Sequence, residues 1–162
     1  MRTVQWLFVV GVLLFITGIG FVIAGARSAR TAGPAEAAPV ATPVASIKQI
    51  MDGITGPAAN VVYNAVGTIV GTEGVKEIAP QNDEEWAGVA NSAAALVESG
   101  NLLLMSGRAV DNGDWVTITR AFIDTSTLAL KAAEAKDTEG ILSAGSEMNT
   151  TCDNCHAKYQ RQ

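Results

Sequence analysis

Apolar residues fill Val4–Gly25 almost without a break, interrupted only by Gln5 and Thr17 and carrying no charge. Coiled as a helix, the stretch is about 33 Å long, enough to cross a hydrocarbon core of about 30 Å. A secretory signal peptide is the alternative, because Ala24-Gly25-Ala26 offers the small residues of a cleavage site. The apolar region of such a peptide normally runs about 7–15 residues, and this one is longer. The pattern therefore predicts residues 1–26 as a transmembrane anchor.

Beyond it the pattern fades. Residues 27–45 are rich in Ala and Pro, with Pro34, Pro39 and Pro43 and hardly a large apolar side chain. They read as a linker, partly polyproline-like, that spans up to about 60 Å at about 3.1 Å per residue. Periodicity returns at Ser46 and predicts one domain over 46–162.

Ile47, Ile50, Met51, Ile54, Ala58, Val61, Val62, Ala65, Val66 and Ile69 recur at three- and four-residue steps, which predicts a first helix over Ser46–Val70. A second is expected from Asn82, paired with Glu85 in a capping pattern, through Trp86, Val89, Ala93, Val97 and Leu104 to Gly107. A third opens near Asn112-Gly113-Asp114 and carries Trp115, Ile118, Phe122, Leu130 and Ala133 to Lys136. The fourth starts at Asp137 and carries Ile141, Met148, Cys152, Cys155, His156 and Tyr159. The fold class expected is all-α: an antiparallel up-down-up-down four-helix bundle behind a separate transmembrane helix. Pro57 stands inside the first helix, after Gly53 and Gly56, and predicts a kink there.

The last predicted helix ends in Cys152-Asp153-Asn154-Cys155-His156, a C-x-x-C-H run, the attachment signature of a c-type haem. Two thiols one helical turn apart suit the two vinyl groups of one haem, and the adjacent imidazole suits the iron. A thioredoxin-like site wants a βαβ setting, and structural zinc wants four ligands in a chain that has no other Cys or His. A Cys152–Cys155 disulfide closes too small a loop to staple much. In an antiparallel bundle the motif lies level with Ile47–Ile54, Leu103–Arg108 and Trp115–Thr119, which are expected around the porphyrin.

Charge narrows the function classes further. The whole chain carries a net charge of −5, and 46–162 hold 8 Lys/Arg against 15 Asp/Glu. No basic patch, phosphate loop or nucleophile–base pair is present, so neither nucleic-acid binding nor enzymatic turnover is expected. The acidic excess favours solubility and steers basic partners.

A four-helix domain with C-x-x-C-H on its last helix, followed by Tyr159, resembles the class II c-type cytochromes, that is, cytochrome c′ and its Met-ligated low-spin relatives. The likeness covers about Ser46–Arg161. The family commonly has Arg four residues after the His, where this chain has Gln160 with Arg161 one step later. The resemblance implies one covalent haem c held by Cys152 and Cys155, with His156 as proximal iron ligand. It places Met51 where the low-spin relatives carry their distal ligand; core filling is the alternative there, and Met105 is the second choice. Met148, two turns before His156 on the same helix, cannot reach the opposite face of the iron. Arg108 is a candidate for a haem propionate and Trp115 for a contact with the ring.

The function expected is a membrane-tethered electron carrier that serves redox partner proteins. The alternatives are a five-coordinate protein that binds nitric oxide or carbon monoxide, or the haem subunit of a larger membrane redox complex. The family often dimerises through its first two helices. Arg2 before the span and Arg27 and Arg30 after it count against an N-in orientation. Bacterial haem attachment occurs outside the inner membrane and outweighs them, so the domain is expected to face the periplasm.

Overall fold

A computed structural model of the protein describes residues 2–31 and 41–160. Residues 32–40 of the predicted linker, with Pro34 and Pro39, lie outside the described residues, as does Arg161. The chain divides into two units, Met1–Val40 and Ala41–Gln162.

The first unit is one helix, α1 (Arg2–Thr31). Its segment Arg2–Phe21, 20 residues with a mean hydropathy of 2.2, is long and apolar enough to cross a membrane or to serve as a signal sequence. The hydroxyl in the middle of that stretch is satisfied internally: Thr17 Oγ1 donates to the carbonyls of Leu13 and Leu14 at 3.0 and 2.9 Å. A polar group closed off in this way is tolerated in an apolar medium. The helix continues through Thr31, so Arg27–Thr31, expected as linker, is helical.

The second unit is mostly helical and adds one small sheet. Its elements are α2 (Ile47–Ile50), a π-helical turn (Met51–Thr55), α3 (Gly56–Ala65), β1 (Gly67–Gly71), β2 (Gly74–Ile78), α4 (Asp83–Leu103), α5 (Asp114–Glu134) and α6 (Thr138–Tyr159). The helix starts follow from capping chemistry. Ser46 and Gln49 form a reciprocal capping box. Asn82 accepts from the Glu85 amide at 2.9 Å and Asp137 from the Gly140 amide at 3.0 Å. At α5 the cap is displaced to Asp111, whose Oδ1 accepts from Gly113 and Trp115 at 2.8 and 3.1 Å.

α4 packs on α3 and α5, and α6 on α5 and α3. Lys136 at the end of α5 pairs with Asp83 at the start of α4, 2.7 Å apart, and Lys158 near the end of α6 pairs with Asp114 at the start of α5. Gly100 lets α4 and α5 approach: a Cβ there would stand 2.4 Å from Ile123 Cγ1. The main core joins α3, α4, α5 and α6 through Val62, Trp86, Leu96, Phe122, Ile141 and Met148. A smaller cluster of Ile50, Leu103 and Trp115 closes the other end.

The first predicted helix is corrected in two ways. It ends at Ala65, and Gly67–Ile78 form an antiparallel hairpin with Gly71 opposite Gly74. The left-handed φ of +113° at Gly74 suits glycine. Ile69, assigned to the helix stripe, is an exposed strand residue. The kink expected at Pro57 takes the form of the π turn, in which Gly56 N–H bonds to Met51 O across five residues. Around that extra residue the buried stripe is adjusted locally: Thr55 and Ala59 turn inward and Ile54 and Val61 are exposed, while Ala58, Val62 and Val66 are buried as expected. The second predicted helix is also shorter, ending at Leu103 and giving way to a turn in which Gly107 has φ +83°.

The π turn yields a stability prediction. A Cβ on Gly56 would lie 3.0 Å from Met51 O, whereas one on Gly53 meets nothing within 4 Å. Gly53→Ala should stabilise by about 0.5–1 kcal/mol through reduced chain entropy. Gly56→Ala should lower the melting temperature, read by circular dichroism. Equal stabilisation by both would contradict the tight turn.

Candidate functional site

α6 presents Cys152, Cys155 and His156 at positions i, i+3 and i+4, which share one helix face. All three line a narrow, apolar cleft whose enclosed space is only about 30 Å³, well below the about 300–1,000 Å³ of a formed cofactor pocket. Opposite them stand Met51 and Thr55 from the π turn, Leu103 from the end of α4, and Ile118, Thr119 and Phe122 from α5. The cleft lies between the two apolar clusters, bounded by Phe122 of one and Leu103 of the other. Three stretches expected at the level of the motif each supply lining residues.

Both cysteines are free and half-buried. Burial pushes both thiols above their usual pKa; Asp153 adds to this at Cys152, and Cys152 adds to it at Cys155. Their place near the C-terminal end of α6, where the helix dipole is negative, also disfavours thiolate. A redox dithiol needs the opposite setting, with a lowered pKa. Among the described residues no group of three or more His, Cys, Asp or Glu stands together to hold a metal ion. The donor set is therefore two protonated thiols and one imidazole on one wall, with a thioether across from them.

The other candidates sit elsewhere. Trp115 is buried beside the cleft, donating from Nε1 to Leu103 O at 3.0 Å and meeting Tyr159 edge-on at 5.1 Å between centroids. Arg108 binds backbone: its guanidinium donates to Leu102 O and, at 3.0 Å, to Ala45 O, so it ties the turn after α4 to the start of the domain. It also donates to Met105 Sδ at 3.3 Å. Met148 lies in the main core, where its sulfur accepts from Ser126 Oγ at 3.6 Å.

Sequence reasoning missed Tyr63 and Thr55. Tyr63 brings its hydroxyl to 4.0 Å from Cys152 Sγ, and burial, with Cys152 and Asp153 nearby, raises its pKa. Thr55 was hidden because a regular 3.6-residue stripe turns Ile54 inward in its place. Thr119 fell inside an expected segment but was not singled out.

Asp111 ties the start of α5 to the end of α6. It accepts from the Tyr159 hydroxyl as well as from the Gly113 and Trp115 amides, and these bonds, Tyr159 foremost, hold its carboxyl below its usual pKa. A depressed carboxyl pKa contributes stability that is complete above the unfolded value, about 4, and lost as pH falls through the folded value. Asp111→Asn should melt at a lower temperature than wild type at neutral pH, with the gap closing below about pH 4. A gap that stays constant down to acid pH would contradict this role.

No family model matches this chain, and no curated protein or solved structure matches it.

Proposed function

We propose that this chain is a membrane-tethered c-type cytochrome whose four helical segments form an up-down-up-down bundle and which carries electrons on one covalent haem. The observation that carries the reading is the cleft itself. Cys152, Cys155 and His156 line it from α6, and Met51, far away in sequence, lines it from another element. When bound, haem supplies a one-electron centre that alternates between ferric and ferrous iron.

The residues fit that group. Cys152 and Cys155 would hold the group through thioethers, each thiol adding across one vinyl group with sulfur to one carbon and hydrogen to the other, so attachment would need neither oxidant nor leaving group. His156 would supply a ring nitrogen to iron and Met51 a soft thioether, which would favour the ferrous state and raise the potential. Ile118, Leu103 and Phe122 exclude water from the ring. Arg108 and Trp115 take on supporting roles, holding the turn after α4 and the start of α5 against the site.

α1 is the tether, with the haem domain in the periplasm, where attachment takes place. Redox partner proteins, a second copy of the chain or a larger membrane complex would meet the domain there.

The test uses the full-length protein made in a host that attaches haem c. It should sediment with membranes, resist a high-salt wash and keep its first residues by mass spectrometry. Its ferrous spectrum should be low-spin and unchanged by carbon monoxide. A soluble product beginning near Arg27 would make α1 a cleaved signal sequence, and a high-spin protein that takes up carbon monoxide would make the domain a gas binder.

A further inference from the structure

Resting on the haem reading above, we infer that Tyr63 is a positioning residue acting through Cys152: its hydroxyl donates to that sulfur and, once the thioether has formed, raises the potential of the iron. Tyr63 belongs to α3, yet its hydroxyl stands 4.0 Å from Cys152 Sγ on α6, within reach of an O–H···S bond. The ring lies along α6, with Cδ1 and Cε1 at 3.6 and 3.9 Å from where a Cβ on Gly145 would sit. Gly145 precedes Cys152 by two helical turns, so the ring follows one face of α6 up to the sulfur. Cys152 lines the cleft, whereas Tyr63 and Gly145 line a separate groove between α3 and α6. Tyr63 therefore reaches the sulfur from outside the cleft and leaves the haem's side of it free.

Attachment decides which atom is the donor. A free thiol can give or accept a hydrogen bond, and in that state either atom of the pair could donate. A thioether sulfur has no hydrogen and only accepts, so attachment leaves the donor role to Tyr63. The phenol keeps its proton for it, because burial above all, with Cys152 and Asp153 nearby, raises its pKa. The bond acts together with the packing of Cys152 against the main core to select one of the staggered positions open to the sulfur. Among the described residues the surroundings of Cys155 include no such donor, so the effect is confined to one thioether. A donor there draws electron density away from the bond that joins sulfur to the porphyrin and stabilises ferrous over ferric iron.

The experiment is a redox titration of the holoprotein carrying Tyr63→Phe, which keeps the ring in its groove and removes the hydroxyl. The midpoint potential should fall in the otherwise wild-type protein and also in a Cys155→Ala background, where the Cys152 thioether remains. In a Cys152→Ala background, where Cys155 alone is attached, the same substitution should leave the potential unmoved. The carbon–sulfur stretch in the resonance Raman spectrum should follow the same pattern, shifting in the first two proteins and not in the third. A haem attached through both cysteines whose potential ignores Tyr63→Phe overturns the inference alone, as does a shift that persists without Cys152. A wild-type protein without covalent haem overturns the underlying reading and the inference with it.

Discussion

Changing both Cys152 and Cys155 to Ala should leave a folded chain with no covalent haem, and no band on a denaturing gel stained for haem peroxidase activity. The two thiols are the chain's entire cysteine complement, so no other side chain can form a thioether. Both are half-buried and neither belongs to the buried core, so the fold should survive their truncation. Either single change should leave one thioether and a weaker band. Full staining of the double variant would rule out attachment at this motif.

The second large effect is expected at Met51. Met51→Ala should convert a low-spin ferric protein to high-spin, remove the weak near-infrared band of sulfur-ligated iron, lower the reduction potential and open the site to carbon monoxide. Met51 is only partly buried and packs at the margin of the Ile50–Leu103–Trp115 cluster, so the cost in stability should lie below the about 2–5 kcal/mol of a fully buried Met→Ala change. A wild-type protein that is already high-spin would reduce Met51 to packing, and the gas-binding alternative would then take the lead.

What could be read from the sequence divides along physical lines. Caps are local, and Asn82, Asp137 and Ser46 start helices where their side chains predict. The C-x-x-C-H spacing is local too, and a helix necessarily puts its three side chains on one face. Long-range placement was legible as far as antiparallel order fixes height: Met51, Leu103 and Thr119 do meet the motif across one cleft.

The π turn was not legible, because a five-residue backbone bond leaves no periodic trace of its own. Pro57 and Gly56 pointed to a disturbance there but not to its form, so the local adjustment that buries Thr55 and exposes Ile54 could not be foreseen. The hairpin was legible in principle. Gly67, Gly71 and Gly74 punctuate β-branched Thr68, Ile69, Val70 and Val75, and Ile69 at helical spacing hid that alternative. Arg108 sits at the expected level, yet its donors turn to backbone carbonyls, a choice set by the turn geometry after Leu103 that charge alone does not reveal.

The measurement that bears most directly on the central claim is the intact mass of the full-length protein, purified from the membranes of a host that attaches haem c. The mass should exceed that of the polypeptide by one haem, and peptide mapping should place the addition on the segment holding Cys152 and Cys155. A polypeptide of unmodified mass with both thiols free to alkylation would contradict it.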